Sequence, residues 1–346
     1  MRLLVLGGTE FAGRAVVAAA RERGWEVTVF HRGRHPAPAG VRSLHGDRTA
    51  PDGLAALAAS DGTWDAVVDT WSGAPRTVLD AARLLRDRAR RYVYVSSRSV
   101  YTWPWPATGA GSLVEGAAAD AGASDYARDK RGGELAALEA FGAADSLLVR
   151  AGLILGPYEN VGRLPWWLGR IARGGPVLAP GPRTLPVQFI DVRDLAGWIT
   201  GAVARELSGP YDLAAPPGHS TMGELLAACV RVTGSAAELR WTDPEVILGA
   251  GIEPWTQLPV WLPPESEGYA GVHRADVSPA LATGLACRPV GETVADTWRW
   301  LTDLGGTAPQ RPDRTPPGLD PEVEAKVLAG VEGVPGTTPG EGASDD

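Results

Sequence analysis

Over its first hundred residues the chain alternates short apolar runs with helical stretches, and few folds accept that alternation. Leu3–Leu6, Glu26–Phe30, Ala66–Asp69 and Tyr92–Ser96 are each short enough, and apolar or β-branched enough, for a buried strand. Arg14–Arg23, Gly53–Ala59 and Thr77–Arg88 lie between them and carry Ala, Val or Leu on one helical face. Helices separating consecutive strands predict an α/β fold, a doubly wound parallel sheet covered on both faces. Ser124–Ala140 adds another helix and Ser146–Arg150 another strand.

The turn after the first strand reads Gly7-Gly8-Thr9-Glu10-Phe11-Ala12-Gly13. Glycine there lets backbone N–H groups approach a pyrophosphate at a helix N-terminus, where the helix dipole favours negative charge. Among 44 glycines the spacing alone is weak; its place directly after a buried first strand gives it meaning. Gly7, Thr9, Glu10, Phe11 and Gly13 are therefore candidate cofactor-binding residues. A chain built for NAD would offer an acid at the end of the second strand. This one reads Phe30-His31-Arg32-Gly33-Arg34. Arg32 suits a bidentate, charge-assisted contact with a 2′-phosphate, so NADP(H) is the expected cofactor and NAD(H) the alternative. Asp47, after the short run Arg42–His45, is placed to reach the adenine edge.

Lysine is nearly absent. Of 33 basic residues only Lys130 and Lys326 are lysine, and Lys130 stands four positions after Tyr126. Chance would supply about 0.04 such pairs in a chain of this composition. The i,i+4 spacing puts both side chains on one helical face, where an ammonium beside a phenol pulls the phenol toward a working pKa for general acid–base chemistry.

Past residue 150 Pro and Trp become frequent and the pattern turns mixed. The expected organisation is a dinucleotide-binding domain over 1–160, joined again by 187–204, and a smaller mixed α/β substrate domain over 161–186 and 205–302. Within it, Thr221–Thr233 reads as a helix behind a cap-like Ser220. The Gly-, Pro- and Thr-rich stretch 303–346 reads as a mostly disordered tail with one short helix, Pro321–Ala329. A net charge of −8 and a pI near 5.3 argue against a nucleic-acid footprint. Two cysteines without CxxC spacing, and His31 and His35 in a Pro/Gly loop, suggest no metal site. Without a leader-like segment or an 18-residue apolar run, the chain reads as cytoplasmic and free of membrane.

Taken in order, Gly7-Gly8-Thr9-x-Phe11-x-Gly13, Tyr92-Val93-Tyr94-Val95-Ser96-Ser97-x-Ser99-Val100-Tyr101, Tyr126-x3-Lys130 and Phe189-Ile190-Asp191-Val192-x-Asp194-Leu195 resemble the extended short-chain dehydrogenase/reductase family, also called NAD-dependent epimerase/dehydratase. Arg150–Pro157 resembles its post-strand substrate loop, and the likeness covers roughly residues 1–302. The resemblance implies a Rossmann-type sheet and an NAD(P)-dependent oxidoreductase or epimerase. It implies that Tyr126 moves the proton, Lys130 lowers its pKa and holds the nicotinamide ribose, and Ser97 bonds the substrate oxygen, with Ser96 and Ser99 as near alternatives. It also implies that Tyr126 and Lys130 contact the cofactor and that Thr70 and Trp71, after the Ala66–Asp69 strand, line it beyond the pyrophosphate. Tyr101, Glu115, Asn160 and Gln188 are substrate candidates by position. Two departures stand out. Glu10 replaces the middle glycine of the usual loop and Ala127 replaces a glycine after the tyrosine.

The first functional expectation is NADP(H)-dependent ketone reduction or secondary-alcohol oxidation on a small organic, sugar-like or secondary-metabolite substrate. A nucleotide-sugar epimerase or dehydratase retaining NAD is the alternative. The GGTxFxG loop also resembles RNA-associated proteins of this fold, which leaves a non-catalytic cofactor- or RNA-binding protein as a third reading. Related folds often form homodimers through two helices of the sheet domain.

Overall fold

The computed structural model describes residues 1–108 and 111–332. Its frame is a seven-stranded sheet that includes β1 (Arg2–Leu6), β2 (Glu26–His31), β3 (Arg42–His45), β4 (Trp64–Asp69), β5 (Ala89–Ser97) and β6 (Ser146–Ala151). The spatial order is β3-β2-β1-β4-β5-β6, closed on the β6 side by the strand Gly209–Leu213, and every pairing is parallel. Chain order reverses between β1 and β4. In an open parallel sheet the carboxyl ends of the strands on either side of that reversal form the ligand crevice.

Both faces of the sheet are covered, as buried parallel strands require. On one face α1 (Phe11–Glu22) shares a core with α6 (Val192–Ala204). Val16, Val17 and Ala20 lie with Leu195, Ala196 and Ile199 over Leu3, Val5 and Val68. On the other, α3 (Pro75–Leu85) and α4 (Tyr126–Phe141) bury Val78, Leu79, Leu85, Ala136, Ala137 and Phe141 against Leu4, Leu6, Tyr92 and Tyr94. Between α1 and α3 in the chain lies α2 (Ala55–Ala59). Gly133 is what lets α4 approach so closely: a Cβ there would lie 2.3 Å from the Tyr94 hydroxyl.

The segment after β6 builds a second core. Here α5 (Arg163–Ala172) and α7 (Met222–Thr233) contribute Leu164, Trp167, Leu168, Leu225, Leu226 and Cys229, joined by Trp261 and by Leu301 of the helix Val290–Asp303. Two parallel strands, Gly175–Pro180 and Ala237–Thr242, flank it. The cap of α7 is Thr221 rather than Ser220. Thr221 and Glu224 exchange side-chain and backbone hydrogen bonds in a capping box, while Ser220 sits one step back in a short strand.

The C-terminal stretch corrects the reading of disorder from 303. Residues 304–320 form an irregular but anchored segment: Ala308 and Leu319 are buried in the second core, Arg311 N–H donates to the Asn160 carbonyl (3.0 Å), and Gly318 N–H donates to the Thr256 carbonyl (2.9 Å). A helix then runs over Pro321–Glu332, longer than expected. Its Glu324 is buried and accepts from Arg170 Nε at 2.6 Å and from the Leu178 N–H at 3.1 Å. Few, widely spaced anchors hold this stretch, so its composition resembles that of an unfolded chain. The rest of the expected tail, 333–346, lies outside the described residues.

Candidate active site

Gly7 and Gly8 leave β1 with φ of +114° and +87°, backbone that side chains rarely adopt. A Cβ on Gly13 would come within 2.6 Å of the Gly8 nitrogen, so the first turn of α1 folds directly onto the loop. Glu10 is the α1 N-cap yet makes no side-chain cap bond, which leaves the helix's opening N–H groups without a capping carboxylate. Its carboxylate accepts from Asn160 Nδ2 at 2.9 Å and lies 3.2 Å from His35 Nε2. The substitution of Glu10 for a loop glycine is thus accommodated: its charge is engaged with two partners. A loop of this shape, opening a twelve-residue helix, fits a dinucleotide pyrophosphate.

At the end of β2, Arg32 and Arg34 are exposed, and among the described residues neither has an ion-pair or hydrogen-bond partner for its side chain. Asp47 accepts from Thr49 Oγ1 and N–H at 2.7 and 3.0 Å. These bonds, aided by Arg32 and Arg34, hold its carboxyl below the usual range. The two arginines and Asp47 therefore share one neighbourhood.

Beyond the loop, Thr70 Oγ1 donates to the Leu6 carbonyl at 3.1 Å and closes β4 onto β1. Asp69 is fully buried. It receives both Arg48 guanidinium nitrogens at 2.8 Å, the Tyr92 hydroxyl at 2.6 Å and the Trp71 N–H at 2.9 Å. That anchor fixes Trp71, whose carbonyl accepts the Lys130 ammonium at 2.6 Å and the Tyr94 hydroxyl at 3.1 Å.

Lys130 is 3% exposed and donates also to the Val95 carbonyl at 2.6 Å, with its ammonium 4.9 Å from the Tyr94 ring centre. Its hydrogen-bond acceptors are thus two strand-end carbonyls, not the Tyr126 phenol expected from the i,i+4 spacing. A buried ammonium must find acceptors where it is desolvated, and α4 carries it down to the ends of β4 and β5. Burial pulls its pKa to about 7. Folded protein therefore binds this proton more weakly than the unfolded chain, so the group's contribution to stability rises with pH from about 7 toward 10.5 and is least favourable below 7. The wild-type stability relative to Lys130→Met should accordingly improve, by at most about 1.4 kcal/mol per pH unit, when cofactor-free protein is melted at pH 7, 8 and 9. A constant difference would contradict a buried, weakly basic Lys130.

Tyr126 opens α4 behind the Asp125 cap and is 36% exposed, with the Arg314 guanidinium 4.6 Å from its ring centre. Arg163 reaches the same neighbourhood from α5, 5.7 Å from the Trp255 ring. Burial lowers its pKa, and the charges it responds to include Glu159, Tyr126 and Arg314. The serines separate clearly. Ser96 is buried and donates to Glu134 Oε1 at 2.8 Å, within a cluster that also holds Arg131 and Arg150. Ser97, at the end of β5, bonds locally to Ser99, its Oγ 3.1 Å from both Ser99 Oγ and Ser99 N. Ser97 and Ser99 remain at the crevice end of the strand, and Ser96 is structural.

The substrate candidates fare unevenly. Gln188 is 1% exposed and spends its amide on the Ala215 and Ala275 main chain, so it is a strut rather than a substrate contact. Tyr101 is 7% exposed, its hydroxyl engaged with Asp212 and Arg150, each at 3.1 Å. Glu115 is exposed, and among the described residues no hydrogen bond or ion pair engages its side chain. Asn160 sits with Glu10 at the glycine loop, on the cofactor side. Sequence reasoning missed Asp69 with Arg48, Ser72, Arg163, Arg311 and Arg314. A lone acid ending an apolar strand was a usable signal for Asp69; the arginines had none among 31.

Residues 3–212 match the NAD dependent epimerase/dehydratase family. The chain belongs to that family. It is an enzyme of the NAD(P)-dependent short-chain dehydrogenase/reductase type, and its sheet is the Rossmann-like sheet of that family. A ceramide reductase of Caulobacter vibrioides is 29% identical over 276 residues, covering 73% of this chain and 78% of that one. A 2′-dehydrokanamycin reductase of Streptomyces kanamyceticus is 36% identical over 188 residues, about half of each protein (51% and 51%). The fold is shared with the Bordetella bronchiseptica enzyme WbmF solved in complex with NAD+, at a TM-score of 0.60 and 17% identity over 96% of both chains. Among the described residues no helix is long and apolar enough to cross a membrane, and no three His, Cys, Asp or Glu side chains gather as a metal site.

Proposed function

We propose that this family member is an NADP(H)-dependent oxidoreductase that interconverts a ketone and a secondary alcohol on a small organic, sugar-like or secondary-metabolite substrate. The observation that supports the reading is the buried Lys130 ammonium on the Trp71 and Val95 carbonyls at the ends of β4 and β5, carried there by the helix that Tyr126 opens, with Ser97 closing β5. When bound, a nicotinamide supplies or accepts hydride at carbon. The Tyr126 hydroxyl gives the substrate oxygen its proton in reduction and removes it in oxidation. The Ser97 hydroxyl donates to that oxygen and orients it. Lys130, already held by the Trp71 and Val95 carbonyls, has its ammonium fixed at the crevice floor for the ribose hydroxyls and for the charge that develops on Tyr126. That both similar curated proteins carry reductase names supports net reduction over epimerisation.

Preference for NADP(H) rests on Arg32 and Arg34, exposed and, among the described residues, without an ion-pair or hydrogen-bond partner at the end of β2, where an NAD-specific chain would place an acid. Arg32→Gln is expected to raise the Kd of NADPH about tenfold and to leave that of NADH unchanged, measured by fluorescence titration. Tighter binding of NADH than NADPH by the wild type would reverse the preference. A screen of ketones for NADPH oxidation tests the reaction itself.

A second reading, a nucleotide-sugar epimerase that retains NAD, is favoured by one observation. Arg311 and Arg314 of the C-terminal segment contact Ser72 and Tyr126, and a segment so placed would slow cofactor exchange. Native mass spectrometry separates the two: purified protein carrying stoichiometric NAD supports the epimerase, cofactor-free protein the reductase.

A further inference from the structure

We propose that Arg311, supplied from the far end of the chain, is a dinucleotide-binding residue that pairs with the cofactor's pyrophosphate, and that 308–319 forms a strap over the crevice. This rests on the dinucleotide reading above. The strap is pinned at both ends in the second core by Ala308 and Leu319, and beyond it by the buried Arg170–Glu324 pair. Between those pins it crosses to the sheet domain.

Arg311 stands at the middle of that crossing. Its N–H donates to the Asn160 carbonyl at 3.0 Å, and the Asn160 side chain holds Glu10 at the N-cap of α1. Its guanidinium reaches Ser72 Oγ at 3.3 Å, just past β4. Arg311 is thus tied to both sides of the crevice, to the end of β4 directly through Ser72 and to the glycine loop through Asn160, and these are the sides a pyrophosphate would touch. Glu10, Tyr126 and Lys130 all lie within its electrostatic reach. The carboxylate that now engages the guanidinium, beside Ser72, is that of Asp313, at 3.0 and 2.6 Å. That neighbour lies two residues away on the strap itself, so a pyrophosphate can take over the Nε and Nη2 donors now on Asp313 while the Arg311 N–H and the two apolar pins keep the strap in place. Arginine's planar fork suits such a bidentate phosphate contact.

The test measures Kd for NADPH and NADH with wild type, Arg311→Gln, Asp313→Asn and Arg32→Gln, with cofactor-free melting temperatures to confirm folding. Arg311→Gln should weaken both cofactors about equally, on the order of tenfold, because the pyrophosphate is common to both, whereas Arg32→Gln should weaken NADPH alone. Asp313→Asn should leave binding as tight or tighter, since it removes the competing carboxylate. Unchanged affinities in Arg311→Gln would overturn the inference. So would equal weakening by Asp313→Asn, because the strap's shape rather than the arginine's charge would then be responsible. Wild-type protein that binds neither dinucleotide would overturn the functional reading itself.

Discussion

Tyr126→Phe is expected to lower the rate of substrate reduction by about 10²–10⁴-fold, the contribution of a positioned general acid, while the Kd for NADPH stays the same. The side chain opens α4 and is 36% exposed, so loss of its hydroxyl removes no buried hydrogen bond and the ring keeps its place beneath Arg314. Folding stability should change by about 0.5 kcal/mol or less, as for surface substitutions generally. No neighbour is poised to substitute. The Lys130 ammonium donates to two carbonyls at the crevice floor. Ser97 is tied to Ser99 and lacks the pKa to serve as an acid at neutral pH. Steady-state rates and single-turnover traces with a reducible ketone decide the matter, and full activity in the phenylalanine variant would end the case for proton transfer by this residue.

The second large effect falls on stability and reaches the site through it. Asp69→Ala should cost about 3–5 kcal/mol, a substantial part of the 5–15 kcal/mol by which a protein of this kind is stable. Burial pushes the Asp69 carboxyl up, but Arg48 and the Tyr92 hydroxyl outweigh it and hold the group below the usual range, ionised and paired. Removing it strands the Arg48 guanidinium without its carboxylate, in a place where its side chain is 7% exposed. It also frees the Trp71 N–H, and Trp71 presents the carbonyl that holds Lys130. Urea unfolding should show a lower midpoint, and activity should fall with it even where the protein stays folded. Asp69→Asn, which keeps an acceptor for Tyr92 or Trp71, should recover part of the loss. An unchanged midpoint in the alanine variant would show that the Arg48 charge finds water instead.

How much of this was legible beforehand differs from one residue to the next. Strands β1, β2, β4, β5 and β6 and the α1 loop could be read because a buried parallel strand is short and largely apolar, and because a tight turn with positive φ selects glycine. Lys130 was conspicuous through rarity, yet its partners were misread. Helical spacing identifies a shared face, and only packing decides whether a side chain on that face turns to its helical neighbour or inward to strand-end carbonyls. Gln188 shows the opposite error. An amide near a predicted cleft suggested a substrate contact, whereas the structure buries it to satisfy main-chain groups of two separate segments. Ser96 and Ser97 are adjacent letters in one motif, and strand alternation alone sends one hydroxyl to Glu134 and leaves the other at the crevice.

The C-terminal strap marks the boundary most clearly. Local periodicity and glycine placement determined the doubly wound sheet and its glycine loop, since those signals act between residues close in sequence. Tertiary structure alone decided that Arg311 and Arg314 return across more than 150 residues to Asn160, Ser72 and Tyr126. A few long-range anchors, each too sparse to alter the composition around it, bring them there.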